Sequence, residues 1–354
     1  MEGGGIESMI AGLVNEIVNT HSVTLCTIFE PKASDLFYNK LDPRITKISI
    51  GKKISGVSPT VIFKIYYIIK NGKYDVVHIH GFFYYYVIAV LLLHKKVQFF
   101  YTVHSDAVRE NAYWDRKIFW LKRFCFRKKY VCPVTISGAS QESFSKLYQC
   151  SSELIYNGAP LPKISTVAVP VVTESRISPH TKILLHPGRI DVPKNQLVLC
   201  RVCKRLIDEG EDIVLLIAGN KQSPEIFKTL EPYFSDRIKY IGERPDIPTL
   251  LHQADAMCLP SIWEGLPVTL LEALSVGCIP ICSPVGGIVD VIDDGINGFL
   301  SKSSSEADYY RALKFFLHLS TDEIAMVKIN CLKSFDCFHI KNTAAQYLSL
   351  YGHN

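Results

Sequence analysis

Ten short apolar runs, rich in β-branched and aromatic residues, alternate along this chain with longer segments of helical period. That alternation confines it to an α/β fold of repeated βα units with parallel sheets. The runs expected as strands are 23–29, 45–50, 76–80, 97–104 and 130–137 in the first half, and 182–186, 213–218, 238–241, 256–260 and 279–283 in the second. Between the halves lies a proline-bearing stretch with little periodicity, which reads as a linker. The expected organisation is an amino-terminal domain over 1–163, a linker over 164–179 and a second domain over 180–335. A final helix over 336–354 packs back on the first domain. The start of the chain departs from this pattern, because Met1 is followed at once by Glu2, three glycines and a helical pattern over 6–18. In doubly wound sheets the first strand is usually central. The reading therefore expects the amino-terminal domain to lack its first strand, with a start codon lying upstream or a truncated gene as the two explanations.

Composition closes off other classes. A length of 354 residues suits two domains, each with its own core, and 48% hydrophobic with 21% charged residues is ordinary for a globular protein. A net charge of +5 is too small a surplus for a dedicated nucleic-acid binder. Eleven dispersed cysteines without a leader pattern suggest reduced thiols and a cytoplasmic setting. The longest apolar run, 82–93, is twelve residues, short of the ~20 a membrane helix needs. It reads as a buried helix.

The segment from Ser261 to Ala273 follows an expected strand and turns into a helix with Pro267 near its first turn. Free amides at such a helix start attract phosphate, and Glu264 and Glu272 bracket the loop and first turns. One carboxylate suits sugar hydroxyls and the other ribose hydroxyls. Equally, Glu272 reads as a solvated helix residue and Glu264 as a residue favouring the helix amino end. A second strand-end segment carries Gly188, Arg189 and Lys194. There a guanidinium can fork onto a diphosphate and an ammonium can add a point charge; two surface cations are the plain alternative. The Gly3 to Gly5 run lacks a preceding strand and has Ser8 where a third glycine would stand, so it does not match the dinucleotide fingerprint. His78 and His80 share one strand face and His104 ends another strand, which suits either a site or structural hydrogen bonding. Cys200 and Cys203 fall on the apolar stripe of a helix with no second ligand pair and read as core. No metal or other cofactor is indicated. Seven bases against one acid occur over 114–129, and on a helix Arg116, Arg123 and Arg127 would share a stripe able to rest on anionic lipid. A surface helix packed on its own domain reads as well.

Taken together, the motifs resemble the retaining glycosyltransferases of family four. The residues that carry the resemblance are Gly188-Arg189 with Lys194-Asn195, the Glu264 to Glu272 pair, Gly286-Gly287 and 294–298, in that order. In the first half Gly4-Gly5-Ile6-Glu7, 76–80, Thr102-Val103-His104, Ser137 and Asn157-Gly158 look like the same pattern. The resemblance implies the GT-B fold, two facing Rossmann-like domains with a cleft between them. It implies that Arg189 and Lys194 hold a donor diphosphate with Gly188, Gly265, Leu266 and the amides of Val268 and Thr269. Glu264 would grip the transferred sugar, Glu272 the ribose, and Gly4 and Gly5 the phosphates from the other domain. His104 would lie near the reacting carbon, and the base near Gly242 to Arg244. The implied reaction passes a sugar from a nucleotide diphosphate to a glycan or lipid-linked acceptor of a cell-surface polysaccharide, at the inner face of a membrane and without a metal. The departing phosphate oxygen would take the acceptor proton, so no carboxylate nucleophile is required, unlike retaining glycoside hydrolases. A remnant that binds nucleotide sugar without turning it over is the alternative, and a nucleotide-sugar epimerase of similar architecture a further one.

Overall fold

A computed structural model describes residues 4–31, 35–52, 58–81, 86–111, 118–165 and 167–352. The chain divides into two compact units, one formed by Met1–Ala159 with Ile340–Asn354 and the other by Pro160–His339.

In the second unit six parallel strands form one sheet. They are β7 (Lys182–Pro187), β8 (Ile213–Ala218), β9 (Ile238–Tyr240), β10 (Ala256–Leu259), β11 (Ile279–Cys282) and β12 (Phe299–Leu300), following β1 to β6 of the first unit, and their order is β12-β11-β10-β7-β8-β9. The first strand of the unit is thus central, flanked by its second and its fourth, as in a Rossmann sheet. Every residue of β8, β10 and β11 is buried, because helices cover both faces and the strands accordingly read as unbroken apolar runs. Cys200 and Cys203 lie fully buried on helix Gln196–Asp208. The stretch 164–179 is fastened to this unit: Val169 N–H donates to Gln253 Oε1 at 2.9 Å, and the Arg176 guanidinium donates to the carbonyls of Thr181 and Gln253.

The first unit carries two parallel sheets. One pairs β1 (Thr24–Phe29) with β2 (Thr46–Lys52); the other has the order β3 (Val76–His80), β4 (Gln98–Val103), β5 (Cys132–Thr135), β6 (Glu153–Leu154). Among the described residues β1 pairs only with β2 and β3 only with β4. Even so, Cys26 and Ile28 of β1 pack against the cluster that holds Ile79 of β3 and Val61, Ile65 and Ile69 of helix Pro59–Gly72. One core therefore spans both sheets. Helix Ile340–Gly352 closes the unit, with Ile340, Thr343, Ala344 and Tyr347 buried. Its start fits closely against Gly158, where a Cβ would meet Thr343 Oγ1 at 2.4 Å.

Candidate active site

In an open α/β sheet the crevice for a ligand lies beyond the carboxyl ends of the two strands where the order reverses, here β7 and β10. The loops that leave those two strands carry Gly188 to Lys194 and Ser261 to Pro267. Backbone and side chain tie them together. Ile262 N–H donates to the Pro193 carbonyl at 2.8 Å, and Asn195 Nδ2 donates to the Pro260 carbonyl at 3.1 Å. Across this seam Lys194 Nζ meets Glu264 Oε1 at 2.6 Å, with the two side chains only 16% and 10% exposed. Ser261 Oγ donates to the same carboxylate oxygen at 2.7 Å. The two residues read separately in the sequence, one for diphosphate and one for sugar, are thus partners in a single charged pair.

Arg189 differs. It is exposed, and among the described residues no acid pairs with it. Its backbone is held instead: the Gln196 amide donates to the Arg189 carbonyl at 2.7 Å and to His186 Nε2 at 3.1 Å, while His186 Nδ1–H donates to the Cys258 carbonyl at 2.7 Å. These contacts fix the His186 tautomer. Burial pushes its pKa down to about 4, helped by the nearby charge of Lys194 and opposed by the Cys258 hydrogen bond. A neutral, fully buried imidazole therefore sits under a loop that presents a cation to solvent.

Two glycines let the loops approach. At Gly219, φ +152°, a Cβ would lie 2.0 Å from the Gly188 carbonyl oxygen; at Gly286, φ +57°, it would lie 2.0 Å from that of Glu264. Gly287 N–H reaches the Gly265 carbonyl at 2.5 Å. Helix Val268–Ser275 starts beside this seam with no side-chain cap and no acid in its first turn, so the amides of Val268 and Thr269 keep the partial positive charge that anions seek. Leu266 is buried, and Glu272 lies one turn into the helix, half-buried.

Arg244 is placed otherwise than a free donor-binding cation would be. Its guanidinium forks onto Asp246 at 2.8 and 2.6 Å, and it lines an open groove of about 730 Å³ beside β9 with Lys221, Phe227 and Tyr240. Its loop still touches the site's framework, because Gly219 N–H donates to the Gly242 carbonyl at 2.8 Å.

The remaining candidates belong to the first unit. Gly4 is the amino cap of helix Gly5–Ile17, in an extended conformation with φ −116° that any residue adopts. His104 follows β4; its Nε2 lies 2.9 Å from His80 Nδ1, and its backbone N–H donates to Glu110 Oε2 at 3.3 Å. Arg116 lies outside the described residues. The expected arginine stripe is not what helix Phe119–Arg127 exposes. Arg123 is half-buried, donating to Gln149 and stacking on Trp120 at 5.6 Å, whereas the exposed stripe is Trp120, Phe124 and Arg127. The sequence reading gave no role to His186, Gln196, Ser261 or Gly219, although the first three stand beside motifs it singled out. Among the described residues no group of three or more His, Cys, Asp and Glu is arranged to hold a metal.

Profiles of known families account for both units. "Glycosyltransferase Family 4" matches residues 3–161 and "Glycosyl transferases group 1" matches residues 173–329. The chain belongs to glycosyltransferase family 4. It is a glycosyltransferase of GT-B fold, with two Rossmann-like domains. An Escherichia coli UDP-Gal:alpha-D-GlcNAc-diphosphoundecaprenol alpha-1,3-galactosyltransferase is 25% identical over 281 residues, 71% of this chain and 68% of that one. A Campylobacter jejuni N,N'-diacetylbacillosaminyl-diphospho-undecaprenol alpha-1,3-N-acetylgalactosaminyltransferase is 29% identical over 39% of this chain and 36% of its own length. Among solved structures, Anabaena HepE in complex with UDP and glucose aligns with a TM-score of 0.80 at 16% identity, covering 100% of this chain and 98% of that one. At that identity the likeness concerns the fold.

Proposed function

We propose that this transferase moves a sugar, with retention of its anomeric configuration, from a nucleotide diphosphate to a lipid-linked acceptor in the assembly of a cell-surface polysaccharide, without a metal. The observation that carries the reading is that exposed Arg189, paired with no acid among the described residues, shares a loop with Lys194 of the Lys194–Glu264 pair at the reversal of strand order. As the sugar–phosphate C–O bond breaks, the departing nucleotide gains one negative charge, which leaves its terminal phosphate carrying two. In this reading the Arg189 guanidinium takes that charge bidentately. The incoming diphosphate competes with Glu264 for Lys194, and a carboxylate released from the ammonium is free to accept hydroxyls of the transferred sugar. The acceptor proton goes to the departing phosphate oxygen, so positioning and electrostatics supply the rate enhancement. The nucleotide and lipid-linked substrates of the relatives named above support the donor and acceptor classes.

A membrane-facing surface of the first unit fits such an acceptor. Phe63 and Tyr67 on helix Pro59–Gly72, Leu92 on helix Val87–Leu93, and Trp120 and Phe124 are exposed, and these three helices carry no acidic residue. Exposed aromatics among bases suit the interface of an anionic bilayer. Replacing Trp120 and Phe124 by serine should abolish sedimentation with phosphatidylglycerol vesicles; unchanged binding dismisses this part.

The deciding assay is transfer from UDP-hexoses to polyprenyl-diphosphate sugars, with the product's anomeric coupling constant read by NMR. Arg189→Ala should lower kcat/KM by at least ~100-fold with an unchanged circular dichroism spectrum. Near-normal turnover in that variant overturns the assignment. A second reading, a binding remnant, draws on the separation of β1 and β3 into different sheets; donor binding without transfer to any acceptor would select it.

A further inference from the structure

At the carboxyl ends of β3 and β4 the first unit holds a set of linked rings that the preceding reading does not use. Tyr351 and Tyr347, both from helix Ile340–Gly352, reach it from the other end of the chain. The Tyr351 hydroxyl lies 2.6 Å from His78 Nδ1, and His78 Nε2 lies 2.7 Å from Thr102 Oγ1, which in turn is 3.2 Å from the Tyr347 hydroxyl. His78 is therefore held at both nitrogens. His80 stacks on it, ring centroids 4.2 Å apart, and turns its own Nδ1 to His104 Nε2 at 2.9 Å. The far nitrogen of His104, Nδ1, is buried and has no hydrogen-bond partner among the described residues.

Both rings of the pair are kept neutral by burial, which lowers His104 to about 4 and His80 well below its ordinary value, the latter also repelled by His78 and His104. Two neutral imidazoles share one hydrogen in the N–H···N bond, so the proton has two possible positions. If His80 donates, His104 must carry its hydrogen on the buried, unpartnered Nδ1. If His104 donates from Nε2, that buried nitrogen is a bare acceptor and the second hydrogen of the pair sits on His80 Nε2, which is not among the buried unpartnered atoms. An orphan buried N–H is costlier than an orphan acceptor. The second arrangement wins.

We propose that His80 is a positioning residue for His104: by accepting the Nε2 proton it fixes the ring and its tautomer, so that His104 Nδ1, enclosed in the free protein, is kept a bare acceptor that a hydroxyl of the substrate satisfies on binding. The hydroxyl belongs to a sugar, a step that rests on the transferase reading above. His78, clamped by Tyr351 and Thr102, sets the plane against which His80 stacks. No proton is transferred in this role; His104 accepts a hydrogen bond and the hydroxyl is oriented.

The test has one arm that does not depend on activity. In the free protein with 15N-labelled histidine, long-range 1H–15N spectra should show His104 protonated at Nε2 with a slowly exchanging imidazole proton. That proton should vanish in His80→Phe, which keeps a ring to stack on His78, and persist in His80→Asn, whose side-chain oxygen can accept it. A His104 protonated at Nδ1, or an imidazole proton unaffected in His80→Phe, overturns the proposal and leaves the transferase reading untouched. The second arm is a cycle of turnover measurements. His80→Phe should lower kcat roughly tenfold, His80→Asn should restore most of it, and His80→Phe combined with His104→Ala should be no slower than His104→Ala alone. Independent, multiplying losses show that His80 does not act through His104 and refute the positioning role.

Discussion

The Lys194–Glu264 pair gives the site a measurable signature. A hydrogen bond between ionised partners contributes about 1.5–3 kcal/mol, and removing one partner leaves the other charge poorly solvated. Here the contact is 2.6 Å and both side chains are less than a fifth exposed, so little of that value is lost to solvent screening. Glu264→Gln should thus destabilise the second unit by about 2 kcal/mol. For a unit spanning Pro160–His339 that corresponds to a fall in Tm of about 4–8 °C. Lys194→Met should cost a similar amount, and the double variant should lose about 2 kcal/mol rather than 4, because each single change already breaks the same contact. Urea titrations of the four proteins give the coupling. If the losses add to within about 0.5 kcal/mol, the pair does not exist in solution and the competition of a diphosphate with Glu264 for Lys194 falls with it. The same variants carry a ligand prediction: UDP should raise the Tm of Glu264→Gln by more than that of the wild type, since no carboxylate then holds the ammonium back.

Gly219→Ala should weaken UDP binding at least tenfold and cost roughly 2 kcal/mol of stability, because the new methyl has to displace the Gly188 carbonyl and with it the Arg189 backbone; isothermal titration showing native affinity would contradict this. His186, at about 4 when folded, lies below its unfolded value of ~6.5, so the unfolded chain takes up a proton first and stability is lost as pH falls from 6.5 towards 4, by roughly 3 kcal/mol in all. His186→Asn keeps a donor for the Cys258 carbonyl and should flatten that part of the pH profile of β7 hydrogen exchange; an unaltered slope refutes the assignment. Amides of β3, an edge strand among the described residues, should exchange orders of magnitude faster than those of β7 and β8, and equal protection would mean that the β3 edge is covered.

What the sequence discloses follows from which forces act locally. The second unit's strands lie close to the apolar runs that suggested them, since a strand buried on both faces has to be apolar throughout; β8, Ile213–Ala218, coincides with its run. Two-residue strands such as β6 and β12 carry no period and are not legible at all. The motif glycines were visible, but Gly219 was not, because the carbonyl it makes room for belongs to Gly188, remote in sequence. The half-burial of Arg123 in the expected arginine stripe was hidden for a similar reason. A helical wheel placed Arg123 on a free face, while Gln149, which the wheel does not contain, draws its guanidinium aside over the Trp120 ring of the same helix.

The difference between Arg189 and Lys194 also escapes the sequence, although they are five residues apart on one loop, and it bears directly on how the site works. Lys194 rises from a short turn, Val192–Lys194, capped by Asp191 Oδ1 on the Val192 amide at 2.8 Å, and its ammonium ends on Glu264. Among the described residues Arg189 is held through its carbonyl, by Gln196. The backbone is rigid and the guanidinium remains available, an arrangement that favours charge arriving from outside over charge already present. A cation neutralised by a resident carboxylate cannot stabilise a departing phosphate until that carboxylate has another donor to bind, and sugar hydroxyls are such donors. A donor with its sugar attached should therefore engage Lys194 more strongly than the free nucleotide does. Comparing UDP with a UDP-hexose across Lys194→Met measures this directly: the variant should lose more affinity for the sugar nucleotide than for UDP. Equal losses would show that Glu264 and the sugar are not coupled through Lys194.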